Sequence, residues 1–354
     1  MNPSPLRTMT ETTPTALWND SCTMSELAAA IGWGAVGATC NPVIALAAIR
    51  SDLPRWLGRI AEIAAEKPTL SESQIGWQVV EEVSVEAAKL LEPAFGEHAG
   101  RNGRLSMQTD PRLHRDAGAL VEQAEHFASL APNVIVKIPA TSVGIEAIEE
   151  ATARGVSINV TVSFTVSQAV EAGAAIQRGL DRRRAEGGDT ASMGPVVTIM
   201  VGRLDDWMKT VVERDGIDIE PEHLEWAGVA AFKRAYGVFR ERGYQARLLA
   251  AAYRNQLQWT ELVGGDIVLS PPFAWQERFQ ASGYEPVARI DEPVDPDVVA
   301  SLQTIPDFVR AYEVGGMTPR EFDDFGATRV TLRQFLEADE ALDHIVRDVL
   351  VPAP

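Results

Sequence analysis

Lys137 stands in the run "NVIVKI" (133–138), an ammonium among β-branched apolar residues. The other four lysines, Lys67, Lys89, Lys209 and Lys233, lie in mixed contexts that read as helix. Burial disfavours the charged form of an amine and lowers its pKa. A neutral amine attacks a carbonyl, and the Schiff base it forms is an electron sink for carbon–carbon cleavage. Taken alone, the residue also reads as a lysine snorkelling from an edge strand. Asp20, in "WND", is a candidate proton shuttle for such chemistry on a polyol. It competes with a helix N-cap reading, which Ser25 suits better, ahead of Glu26 and an apolar run. Arg203 and Arg254 each follow a strand-like run. Singly each reads as a surface ion pair, but at one site they form a bidentate phosphate clamp.

Something must bring these residues together. Eight β-rich runs recur along the chain: 15–20, 34–39, 104–109, 133–138, 156–161, 195–201, 246–252 and 266–270. Alanine-rich helical patterns separate them, such as "HRDAGALVEQAEHFASLA" and "SFTVSQAVEAGAAIQRGL". Alternation of this kind predicts parallel βα units, and eight of them suit an α/β fold of the (β/α)8 barrel type. In that fold chemistry gathers at the C-terminal ends of the strands. The ends here carry Asn19 and Asp20, Thr39 and Asn41, Gln108 and Asp110, Lys137, Asn159 and Thr161, Thr198 and Arg203, and Arg254 and Asn255. Residues 51–103 read as a helical insertion, and helical segments continue beyond Asp291. Either could form a homodimer contact or a lid. The expected organisation is a disordered tail over 1–14 and one catalytic domain over 15–354.

Composition sets bounds on partners. The formal net charge of −18 argues against nucleic acid or an anionic membrane surface as a partner. No stretch is long and apolar enough to span a bilayer, and the opening lacks the apolar core of a signal peptide. Two cysteines, Cys22 and Cys40, fit neither a disulfide framework nor metal-ligand spacing, so a cytoplasmic setting is expected. The five histidines show no metal spacing, and no dinucleotide or phosphate glycine loop occurs.

Seven segments then fall into a known order: "WNDSC", "GAVGATCNPVIAL", "VIVKIPAT", "GVSINVTVSFTVSQA", "VGRLDDW", "AGVAAFKRAY", and "AAAYRN" leading to "LVGGDIVLSPP". They resemble successive blocks of the transaldolases, Schiff-base enzymes of the pentose phosphate pathway, from Leu17 to Pro272. The resemblance implies a (β/α)8 barrel with the Schiff-base lysine, Lys137, on its fourth strand. It implies transfer of a dihydroxyacetone unit from fructose 6-phosphate or sedoheptulose 7-phosphate to an aldose phosphate, without metal or organic cofactor. By motif position Asp20 is the proton shuttle, and Thr39 and Asn41 line the sugar site. Asn159 and Thr161 hold the carbinolamine, the water and the dihydroxyacetone unit, while Arg203 and Arg254 bind phosphate. Thr198 stands where a phosphate-binding serine is usual. Gln108 stands where transaldolases carry a water-activating glutamate, and an amide orients water without accepting its proton. The similar fructose-6-phosphate aldolases use glutamine there. Transferase is the expectation; an aldolase-like activity, or a specialised sugar such as a sulfonated one, is the alternative that Gln108 raises.

Overall fold

The computed structural model describes residues 4–353. Eight strands form: β1 (Ala16–Asn19), β2 (Ala35–Cys40), β3 (Arg104–Gln108), β4 (Val134–Pro139), β5 (Ile158–Thr161), β6 (Val196–Ile199), β7 (Arg247–Ala251) and β8 (Val268–Ser270). They pair in parallel in sequence order, and β8 closes onto β1, giving a (β/α)8 barrel. The strands are apolar on both faces because one packs the barrel interior and the other the surrounding helices. Inside, Trp18, Ile135, Val196, Leu249 and Val268 form a separate buried cluster. Side chains two apart on a strand share a face, so Lys137 continues the inward line of Ile135 one step closer to the mouth.

The connecting helices start immediately after the strands, and residues at the turn cap them. Asn41 accepts from the Ile44 amide at 3.0 Å, and Thr141 from the Gly144 amide at 2.9 Å. Thr165 and Gln168 form a capping box on helix Val166–Ala185. These caps fix where each strand stops and therefore which residue reaches the mouth.

The 51–103 insertion is helical as expected, chiefly Leu53–Glu66 and Glu72–Glu97. The C-terminal part adds Pro296–Leu302, Pro306–Tyr312, Pro319–Phe322 and a long helix, Gly326–Leu350. The long helix packs on Pro42–Ser51 and on both insertion helices. Among the described residues, no helix is long and apolar enough to cross a membrane.

The expected disordered lead-in is corrected. Residues 1–3 lie outside the described residues, but Pro5–Thr12 is a helix capped by Ser4. Leu6 and Met9, three apart, form its buried stripe, and the Trp259 indole N–H lies 3.3 Å from the Met9 sulfur. The sequence did not reveal this helix because the residue that covers Met9 lies 250 positions away.

Candidate active site

Lys137 is 2% exposed on β4, in register with Gln108 on β3 and Asn159 on β5. Burial is the largest influence on its amine and holds the pKa below the ordinary lysine value. The Asp20 carboxylate opposes that shift, Arg203 reinforces it, and no hydrogen bond contributes. The amine is therefore disposed to lose its proton in the folded protein.

Asp20 follows β1 at the mouth, where it is partly open to solvent. Burial raises its pKa, against lowering by the Lys137 ammonium, the Thr39 hydroxyl, Arg203 and Arg254. Thr39 on β2 donates directly to Asp20 Oδ1. Asp20 caps no helix. The next one begins at Met24 after Thr23, two residues ahead of a start capped by Ser25, and Thr23 makes no side-chain cap.

The two arginines, 51 positions apart, act on each other and on Asp20, so the structure brings all four charged groups to one mouth. Their donors are committed differently. Arg203 gives Nη1 to Thr331, at 3.2 Å, and to Gln334, both on the C-terminal helix. Its Nε–H is buried with no partner, and its guanidinium lies 5.7 Å from the Phe335 ring centre. Arg254 gives Nε to Asp206 at 2.9 Å and Nη1 to the Ala252 and Tyr253 carbonyls at 3.1 Å. A cavity of 130 Å³ opens between Arg203, Arg254, Thr331 and Gln334.

Not every strand-end residue faces that opening. Thr198 does not line the arginine cavity. Its hydroxyl donates to Asn159 Oδ1 at 2.8 Å, and Asn159 Nδ2 donates to Ser106 at 2.8 Å. These three form a buried polar chain across β3, β5 and β6, so Thr198 supports Asn159 rather than joining the clamp. Asn41 commits its side-chain oxygen to capping, which leaves only its Nδ2 donors for a ligand. Asn19 is tied to Ser21 and Gln276, and Asn255 to Asp205 and Glu225. Thr161 is fully buried, two positions after Asn159 on β5 and opposite Pro139 on β4, with Met200 sulfur 4.0 Å from its hydroxyl. Gln108 is buried, and its Oε1 finds no partner.

Several groups at the same end are not evident from sequence. Val162 and Ala252 take positive φ, 48° and 61°, directly after β5 and β7. That conformation is strained for a β-branched residue and is found where a site fixes the chain. Gln168 holds the Val162 carbonyl at 3.0 Å and Arg254 holds that of Ala252. Beyond these bends Ser163 and Tyr253 carry buried hydroxyls without partners, as does Ser270 at the end of β8. The Tyr253 phenol is pushed up by burial and by Asp20. Its only sequence signal is its place between a strand end and Arg254.

In chemical terms the mouth offers one buried amine with a lowered pKa, one carboxyl with a raised pKa, unsatisfied hydroxyls and two guanidiniums. Comparison with known proteins points the same way. The model of the family described as Transaldolase/Fructose-6-phosphate aldolase matches residues 17–305. The chain is 31% identical over 269 residues to transaldolase 1 of Streptomyces avermitilis, covering 75% of this chain and 68% of that one. It is 30% identical over 301 residues to the transaldolase of an Arthrobacter species, covering 83% and 76%. To that of Thiobacillus denitrificans it is 28% identical over 284 residues, covering 74% and 78%.

Proposed function

The chain belongs to the transaldolase/fructose-6-phosphate aldolase family of enzymes, and from that premise we propose that it transfers a dihydroxyacetone unit between sugar phosphates through a Schiff base on Lys137. The observation that carries this reading is a buried amine held below its ordinary pKa beside a carboxyl and a pair of arginines.

Neutral Lys137 adds to C2 of the ketose, and loss of water from the carbinolamine gives an iminium. The Asp20 carboxylate takes the C4 hydroxyl proton. The C3–C4 bond breaks, its electrons pass to the iminium as an enamine, and an aldose phosphate leaves. The enamine carbon then adds to an acceptor aldehyde, and Asp20 returns its proton to the new alkoxide. The Thr39 hydroxyl opposes the rise that burial imposes on the Asp20 pKa, while Asn159, braced by Thr198 and Ser106, holds the bound three-carbon unit. Gln108 and Thr161 position water for the imine steps, and Arg203 and Arg254 hold the phosphate. The donor is a pathway ketose such as fructose 6-phosphate or sedoheptulose 7-phosphate. A reducing cytoplasm suits a chain whose two cysteines lie as thiols 3.3 Å apart.

Gln108 favours a second reading. A neutral amide at this strand end leaves the fate of the enamine open, and protonation followed by hydrolysis makes an aldolase. Product analysis with fructose 6-phosphate, with and without erythrose 4-phosphate, separates the two. Transfer requires sedoheptulose 7-phosphate to appear only with the acceptor, whereas free dihydroxyacetone released without it establishes the aldolase. Borohydride trapping with the donor tests the core assignment, and a label on any other lysine overturns it.

A further inference from the structure

The phosphate grip lacks the hydroxyl expected of it. Thr198 is committed to Asn159, and Arg254 is paired with Asp206 at 2.9 Å. The C-terminal helix Gly326–Leu350 instead closes the 130 Å³ cavity between the two arginines, lining it with Thr331 and Gln334. These residues are three apart and so share one face of the helix. Thr331 is 1% exposed, whereas Gln334 is open to solvent. Two guanidiniums and the Asp206 carboxylate leave one positive charge in excess along the cavity wall. A phosphate monoester carries about −1.5 to −2 near neutral pH, so neutral donors have a part to play in holding it.

Both helix residues have such donors to give. A hydroxyl offers one hydrogen beside its acceptor sites, and a side-chain amide has two N–H groups beside its oxygen. Thr331 Oγ1 accepts from Arg203 Nη1 at 3.2 Å, and Gln334 Oε1 accepts from the same nitrogen. A guanidinium only donates, so it turns the Gln334 oxygen toward itself and leaves Nε2 facing away. Among the described residues, neither the Thr331 O–H nor the Gln334 Nε2 has an acceptor. The Arg203 Nε–H is also buried without a partner, a state that is costly and that an arriving oxygen relieves. Arg203, Thr331 and Gln334 therefore form one hydrogen-bonded unit, and its unused hydrogens lie on all three residues.

We propose that Thr331 and Gln334 determine specificity for the phosphorylated donor, each accepting from Arg203 and giving its own hydrogen to the phosphate. The proposal rests on the reading of Arg203 and Arg254 as the phosphate grip. The helix then takes the place that Thr198 leaves, and it does so without cancelling the charge of Arg203. A carboxylate in place of the Gln334 amide would still accept from Arg203. It would also neutralise that charge, and it would offer the phosphate no hydrogen.

The test is borohydride trapping on Lys137, reading the donor concentration that gives half-maximal label. It is measured for fructose 6-phosphate and for unphosphorylated dihydroxyacetone, and the ratio of the two isolates the phosphate. Each loss of a hydrogen bond to a charged group should raise that ratio by about 10- to 10²-fold in Gln334→Ala and in Thr331→Val. Gln334→Glu, which keeps the size of the side chain, should lose more than Gln334→Ala, and Thr331→Ser should return the ratio to that of the wild type. A role in packing alone predicts the reverse order, with Gln334→Ala the most damaging change and Thr331→Val harmless. Wild-type ratios in Gln334→Glu and Thr331→Val, or equal losses for the two donors, overturn the proposal while leaving the Schiff base intact. Absence of label on wild-type Lys137 with either donor overturns the transfer reading and the proposal together.

Discussion

The two arginines should not contribute equally, and the difference follows from their free donors. A guanidinium has five N–H groups. In Arg203 both Nη1 hydrogens go to Thr331 and Gln334, which leaves the unpartnered Nε–H and the whole of Nη2. That is the parallel edge that grips two oxygens of a phosphate. In Arg254 the Nε and both Nη1 hydrogens are committed to Asp206 and two backbone carbonyls, so one nitrogen remains. A hydrogen bond to a charged group contributes about 1.5–3 kcal/mol. Arg203→Ala should therefore cost about 3–6 kcal/mol with a phosphorylated donor, or about 10²–10⁴-fold in kcat/KM. Arg254→Ala should cost about 1.5–3 kcal/mol, or about 10–10²-fold. The assay is kcat/KM for fructose 6-phosphate against unphosphorylated dihydroxyacetone as donor. The latter has no phosphate to lose and corrects for disturbance of the C-terminal helix. Equal losses for the two donors, or a larger loss at Arg254 than at Arg203, would refute the donor census.

Two further outcomes are expected. Asp20→Asn should lose about 10²–10⁴-fold in turnover, because an amide cannot take the hydroxyl proton, yet Lys137 should still be trapped by borohydride. The Asp20 carboxylate raises the Lys137 pKa, so its removal lowers that pKa further and moves the acid limb of trapping to lower pH; an upward move would separate the two groups. Gly37→Ala should destabilise the barrel by about 1–3 kcal/mol through overpacking, since its new Cβ would lie 2.4 Å from the Trp18 ring. The midpoint of denaturant unfolding measures this, and an unchanged midpoint would mean that Trp18 does not fill the interior there.

The barrel was legible because eight short β-rich runs, each ended by polar residues, alternate with longer alanine-rich helical patterns. Lys137 was legible for the related reason that a charge inside such a run has few structural uses. The division of labour among the polar strand ends was not. Thr39 and Asn41 are two apart at the end of β2, yet one hydroxyl meets Asp20 and the other side chain caps a helix. Asparagine and threonine serve both purposes equally well, and only the bend of the turn decides between them. Thr198 is the same case, since its partner is set by the register between β5 and β6. The burial of Asp339 beside Arg112 was hidden for a different reason. The residue lies in "LEADEALD" among acids that stay exposed, such as Glu337 and Glu340. Its burial is created by packing against an insertion 260 residues earlier, around Trp77.

The C-terminal helix explains how a chain with net charge −18 presents positive potential to an anion. Arg254 is largely neutralised by Asp206, whereas Arg203 is held by a hydroxyl, an amide and an aromatic face, none of which cancels its charge. Thr331, Phe335, Ala338, Asp339 and Leu342 recur at three- and four-residue spacing, so they form one stripe of the helix. From Thr331 to Asp339 the stripe runs about 12 Å at the helical rise. One end orients the free edge of Arg203, and the other lies against Gln108 and Arg112. A shift of the helix along its axis would disturb both ends together. The free edge of Arg203 and the Arg112–Asp339 ion pair are thus set by the same packing against the insertion helices.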